Sequence, residues 1–391
     1  MTLSLPFAEK RNIKVKNNRI PIFDLIRIIA ALGVFVFHLN THFGVVVTSG
    51  FGLNPIIKTG AVFMVCFFML SGFSLYYSYY SKNLFENNNL KKFLQKRLLS
   101  IVPLYYVFFV YVLISHYAFP KTAGELWSLL PSFLILGQAF FPSTFNKLGA
   151  GGTWLLSVLL FLYVMFPMLQ YVIKRMSKRG LKVILTICFL FSVYPSIVHV
   201  YQNMTFAQLY SNPIYRLPEF VVGMLVAALC LENTQSKRPR YIGVKLIGLC
   251  LLFGFFINLL YYHVFLNGVL FERNYTFYNI IAVPIFALAF YYAFFSVEGS
   301  NILEKSICKL SSRKSIQYLS SITFAFYITQ SIALRIVHVI VNKGIFSGDE
   351  YVKIALATMA LNLVLAISAH EGIEKPLKRL ALKQYNCINM K

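Results

Sequence analysis

The chain has 391 residues, of which 58% are hydrophobic and only 13% charged, with a mean hydropathy of +0.66. Soluble domains carry roughly 25% charged residues, so this composition excludes an ordinary water-soluble fold and points to an all-α polytopic membrane protein. The net charge of +24 would suggest nucleic acid in a soluble chain. Here the basic residues sit between apolar runs, where topology and anionic lipid account for them, and no nucleic-acid partner is expected.

A basic cytoplasmic tail, 1–21, leads into an apolar run that holds Asp24, Arg27 and His38. No small-residue cleavage pattern follows, so this first helix is expected to stay. Ionisable groups inside a span are costly, face protein or a water-filled cavity, and mark function by default. Eleven residues separate Arg27 from His38, which returns them to nearly the same helix face about 16 Å apart along the axis. Asp24 lies one turn from Arg27 on that face. His38 is a candidate general base or acyl carrier. Arg27 is a candidate for holding an anionic group or a developing oxyanion, with an ion pair to Asp24 as its structural alternative.

Apolar runs of spanning length fall at about 22–41, 59–80, 98–118, 153–173, 183–200, 215–232, 246–266, 277–297, 317–340 and 353–372. That gives about ten transmembrane helices with both termini cytoplasmic. With this topology 28 of the 37 Lys and Arg residues lie inside, six outside and three within spans, in accord with the positive-inside rule. A shorter run at 126–141, broken by Pro131, would collapse that asymmetry if it spanned. It is therefore placed outside, re-entrant or surface-lying. The transmembrane domain is taken as 22–374, followed by a cytoplasmic tail, 375–391.

Each further feature has a functional and a structural reading. Gly60, Ser71 and Gly72 in the second run permit close helix approach, and Ser71 could also line a cavity. Lys91, Lys92, Lys96 and Arg97 lead into Pro103 and Tyr105, a basic cluster that suits either the phosphates of a nucleotide-like donor or lipid headgroups. Arg216 and Glu219 are one turn apart and can pair, or bind an acceptor. Trp154, one of two tryptophans, sits where an interfacial anchor would. His42, His116, His199, His263, His338 and His370 fall mostly at span ends and read as structural. Six scattered cysteines show no metal-ligand spacing and read as apolar fillers, so no metal site is expected.

Arg27-x10-His38, Ser71-Gly72-Phe73, the basic stretch before Pro103-x-Tyr105, Arg216-Leu217-Pro218-Glu219-Phe220, Ser320-x6-Tyr327 and Glu374-Lys375-Pro376 occur in one order across the chain. This set resembles the acyltransferase-3 family of integral membrane acyltransferases. The resemblance implies transfer of an acyl group, usually acetyl from cytoplasmic acetyl-CoA, to a hydroxyl of a cell-surface or lipid-linked glycan such as O-antigen or exopolysaccharide. It implies no tightly bound cofactor and a bacterial cytoplasmic or inner-membrane location. Arg27 and His38 are carried over as the functional pair, with Lys96 and Arg97 beside Arg27 as donor-binding residues. Asp24, Ser71, Tyr105, Trp154, Arg216, Glu219, Tyr327 and Gln330 are supporting or acceptor-side candidates. Three positions depart from the family pattern: Ser100 where a second arginine often stands, Leu159 and Leu160 where a glutamate often follows the tryptophan, and Gln330 where a histidine often stands. An extracytoplasmic esterase-like domain that some members carry is absent from this sequence, so a separate transferase partner is an option. The alternative from a different class is a transporter or flippase of a glycan or its precursor, since ionisable residues in spans also mark transport paths.

Overall fold

The computed structural model describes residues 19–44, 57, 60–86, 88–117, 130–134, 137–141, 152–202, 209–233, 279–295, 302–346 and 350–380, and among these every regular element is helical. The helices are α1 (Ile22–Phe43), α2 (Phe63–Tyr79), α3 (Asn89–Tyr117), α4 (Trp154–Ile173), α5 (Lys178–Gln202), α6 (Pro213–Asn233), α7 (Asn279–Phe295), α8 (Ile302–Ser311), α9 (Lys314–Asn342) and α10 (Tyr351–Ala369). Seven helical stretches are long and apolar enough to cross a membrane, and α7 is a shorter apolar helix. α5 coincides with the run expected at 183–200, whereas the run at 246–266 lies outside the described residues. The protein is a polytopic membrane protein, and apolar side chains such as Val107, Val164, Met168 and Val364 face outward, where lipid covers them.

Two glycines set the central crossing. A Cβ on Gly72 would lie 2.0 Å from the carbonyl oxygen of Phe220, and one on Gly223 would lie 1.9 Å from that of Met69. α2 and α6 therefore touch backbone to backbone, the close approach that small residues permit in membrane helices. Their interface is the most extensive between helices among the described residues. Gly60 plays the same part at the start of the second span, where a Cβ would meet the carbonyl oxygen of Gly33 at 2.7 Å. The packing reading of Gly60 and Gly72 is what the structure contains.

α1 and α9 run parallel, and three contacts fix their register. Ser320 bonds Asp24 at one end, the rings of Phe35 and Phe326 meet at 5.3 Å in the middle, and those of Phe43 and His338 meet at 5.9 Å at the other end. α1 stops at Gly44, whose φ of 64° lets its N–H close on the Asn40 carbonyl, the left-handed glycine cap. α9 is clamped to α10 by Thr329, which donates to Asn362 Oδ1 at 2.7 Å, while Asn362 Nδ2 donates to the Phe326 carbonyl.

The 126–141 stretch is described at 130–134, one helical turn, and at 137–141, which holds the 3-10 turn Gln138–Phe140. Neither piece approaches spanning length. Tyr105 donates to the Phe133 carbonyl and Tyr106 to that of Leu134, both at 2.6 Å, so Tyr105 ties this stretch to α3. At the far end of the chain a π-helical turn, His370–Glu374, follows α10, and helix continues through Leu380. The wider turn accommodates Pro376, which has no N–H to give to the helix. The boundary expected at residue 374 thus falls inside a helix.

Candidate functional site

The site is built on the first turns of α1. Asp24, with 3% of its side chain exposed, accepts Arg19 Nε at 2.8 Å and an Arg27 guanidinium nitrogen at 3.3 Å. It also accepts the Ser320 hydroxyl at 2.7 Å, and that hydroxyl in turn accepts from Arg27 at 3.1 Å. One buried carboxylate therefore organises two guanidiniums and a hydroxyl, which is how a charge is tolerated out of water. Two positive charges against one carboxylate leave the cluster cationic. It opens into a cavity of about 340 Å³ lined by Arg19, Ile20, Phe23, Asp24, Arg27, Ser74, Tyr77, Ser78, Ser320 and Ser321. Arg27 keeps 32% and Arg19 51% of its side chain accessible. The wall is thus cationic and hydroxyl-rich, suited to phosphate or carboxylate oxygens. Arg27 pairs with Asp24 and still faces open space, so the ion pair does not close it off from a ligand.

His38 lies about 16 Å further along α1. It is partly accessible, and its ring packs edge-on against Phe37 at 5.2 Å. Among the described residues its ring nitrogens have no hydrogen-bond partner and no carboxylate fixes its tautomer. His42, one turn on, bonds the His38 carbonyl through Nδ1 at 2.9 Å.

The donor-binding group expected from sequence, Lys96 and Arg97 beside Arg27, is not brought together at the cavity. Lys96 is exposed, and Arg97 packs its guanidinium 5.7 Å from the rings of Tyr79, Phe93 and Tyr163. Neither lines the cavity, because three aromatic faces hold Arg97 between α2, α3 and α4. The cavity's second guanidinium is that of Arg19, from the stretch ahead of α1. Ser71 does not line the cavity either; Ser74 and Ser78, one and two turns further along α2, do. Beside this inner face Lys174 follows the end of α4 and donates to the Lys82 carbonyl at 2.8 Å. Partial burial, with Arg175 adjacent, pulls its amine down to about 8 against the opposing pull of Glu86.

Arg216 and Glu219 form a second, closed cluster. Both are 0% exposed, paired at 2.8 Å. Arg216 Nε donates to the Tyr210 carbonyl at 2.8 Å, and Asn279 Nδ2 bridges Glu219 to the Ser192 carbonyl. Phe68, Trp154 and Tyr210 surround the guanidinium with rings at 4.6 to 5.7 Å. Trp154 is 5% exposed, so it is a buried wall of this box and not an interfacial anchor. Tyr327 is buried beside Gly152, with Tyr210 and Arg216 as electrostatic neighbours. This cluster pins α6 to α5 and α7 and offers no surface to an acceptor. Gln330 is 3% exposed on α9, and its Oε1 accepts no hydrogen bond among the described residues.

Arg19 and Ser320 are the site residues that span counting misses. Arg19 sits in a basic tail that topology alone explains, and a serine in a membrane helix carries no distinctive signal. Among the described residues no group of three or more His, Cys, Asp or Glu side chains gathers as a metal site.

The family model of the acyltransferase domain Acyl_transf_3 matches residues 20–369. Acyltransferase MdmB of Streptomyces mycarofaciens is 27% identical over 245 residues, covering 59% of this chain and 62% of that protein, so the chain matches less than two thirds of that relative's length. No solved structure matches the chain. With the model covering the α1 cluster, His38 and the helices that hold them, this membrane protein belongs to the acyltransferase-3 family.

Proposed function

We propose that this acyltransferase moves an acyl group, acetyl being the family default, from cytoplasmic acyl-CoA to a hydroxyl of a cell-surface or lipid-linked polysaccharide in a bacterial membrane. The observation that carries the reading is the cationic, hydroxyl-lined cavity at the basic end of α1, on the same stripe as a partly open histidine whose ring nitrogens have no partner among the described residues. Arg19 and Arg27 would hold the donor's phosphates. About 16 Å is too far for Arg27 and His38 to touch one carbonyl, so the extended pantetheine arm would run from the cavity toward His38. There the neutral imidazole takes the proton of the acceptor hydroxyl. The hydroxyl oxygen attacks the thioester carbonyl, the C–S bond breaks, and the thiolate leaves with the proton as a thiol. Positioning two substrates that arrive from opposite ends supplies most of the advantage over water.

The test is the mass of surface glycans from cells with and without the protein. An acyl-sized increment is expected, and it should vanish with a His38→Ala variant that still folds and inserts. Full acylation by that variant would overturn the role of His38. Acylation unaffected by the protein, together with lost glycan export, would favour a transport role.

A further inference from the structure

α8 has 10 residues, about 15 Å of helix, too short to cross a membrane, and it belongs to neither cluster. It runs into α9 through Ser312 and Arg313 alone and packs against both α1 and α9. Since α1 and α9 are parallel, α8 lies at the membrane surface where both begin, the surface that carries Arg19 and the cavity.

The side chains of α8 divide into sectors. Counted from Ile302 at about 100° per residue, Ile307, Ser311 and Cys308 occupy the arc from about 140° to 240°. Ile307 and Cys308 pack on the core and Ser311 is fully buried, so this arc faces the protein. Ile302 and Leu310, about 80° apart, are 86% and 42% exposed, with the exposed Ser306 between them. Lys305 and Lys309 lie about 60° and 20° to the other side of Ile302. Both are exposed, and neither has a partner among the described residues. An open apolar sector therefore adjoins a sector of unpaired cations.

That combination selects its ligand. A free phosphate would leave Ile302 and Leu310 in water, and an uncharged acyl chain would leave both ammonium groups unpaired. A phospholipid with net negative charge supplies both partners. At the surface where α8 lies, the bilayer already stacks phosphate above acyl chain, the order in which a lysine stem snorkels past apolar neighbours. We propose that α8 is an interfacial helix that binds anionic phospholipid, Lys305 and Lys309 meeting headgroup phosphates while Ile302 and Leu310 enter the acyl boundary. This lipid site does not depend on the acyl-transfer reading.

A bimane probe on Ser306→Cys, in a full chain freed of its native cysteines, reads the face locally. In detergent, phosphatidylglycerol carrying a nitroxide on its acyl chain should quench the probe at lower concentration than phosphatidylcholine carrying the same label. Adding Lys305→Gln and Lys309→Gln should leave the lipid-free unfolding temperature unchanged. It should raise the phosphatidylglycerol concentration needed for half-quenching about thirtyfold, about fivefold for each charge removed. Arginine at both positions should restore the unmodified value. Quenching by the two lipids at equal concentration, or quenching that the glutamine pair leaves unchanged, would overturn the site. A probe that neither lipid quenches, yet that is shielded from aqueous iodide in native membranes, would overturn it in favour of a partner protein.

Discussion

Arg19 stands outside every apolar run, yet it shares Asp24 with Arg27 and lines the same cavity. Half of its side chain is exposed, so its ion pair contributes little to folding, roughly 0–1 kcal/mol. A phosphate in the cavity would gain more from it, because a charge-assisted bond to a ligand forms only when the ligand is present. Arg19→Gln should leave thermal unfolding nearly unchanged and weaken acetyl-CoA binding about tenfold, as read by titration of the detergent-solubilised protein. Equal loss of stability and binding would make Arg19 a fold residue. The contrast with Arg216 shows why residue type alone misleads. Both arginines lie within five residues of an acidic partner, but Arg216 is enclosed by three aromatic rings and a carboxylate. The sequence displays the pairing of each and hides the exposure, which depends on chain segments far away. Ser320, 296 residues from Asp24, and the rings of Phe68 and Trp154 on other helices beside Arg216 make that difference.

At the scale of elements, hydropathy read the spans well because a membrane helix is a local fact: about 20 apolar residues suffice. Charge asymmetry placed the 126–141 stretch outside the count of spans, and its described residues form short turns. Register is not local. Nothing in the α1 sequence says that Phe35 meets Phe326, because side-chain packing between helices sets it. The glycines are an intermediate case, since small residues announce a crossing without naming the partner. Gly72 and Gly223 name each other's helices in the structure, and the prediction follows from the 1.9 Å and 2.0 Å approaches. Gly223→Ala places a methyl against the Met69 carbonyl, backbone that cannot rotate away, so α2 and α6 must separate. Overpacking of this kind costs about 1–3 kcal/mol. The unfolding temperature in detergent should fall accordingly, and an unchanged value would show that the helices slide apart freely.

At the scale of the whole molecule, the arrangement separates two ends of one helix. α1 has 22 residues, about 33 Å at 1.5 Å per residue, which matches the hydrocarbon thickness of about 30 Å. Arg19 and the cavity it lines therefore belong to one membrane surface, and His42, one turn beyond His38, to the other. The excess of Lys and Arg in alternate loops makes the Arg19 end the expected cytoplasmic one. The arrangement is directly testable with cysteines introduced into a variant lacking Cys66, Cys188, Cys230, Cys250, Cys308 and Cys387. Arg19→Cys should react with a membrane-impermeant maleimide only in inverted vesicles, and His42→Cys only in intact cells. If the cavity takes the donor's phosphates as proposed, acetyl-CoA should protect Arg19→Cys and leave His42→Cys reactive. Labelling of both positions from one side would place donor and acceptor in the same compartment. The extended-arm geometry between Arg27 and His38 would then have no role.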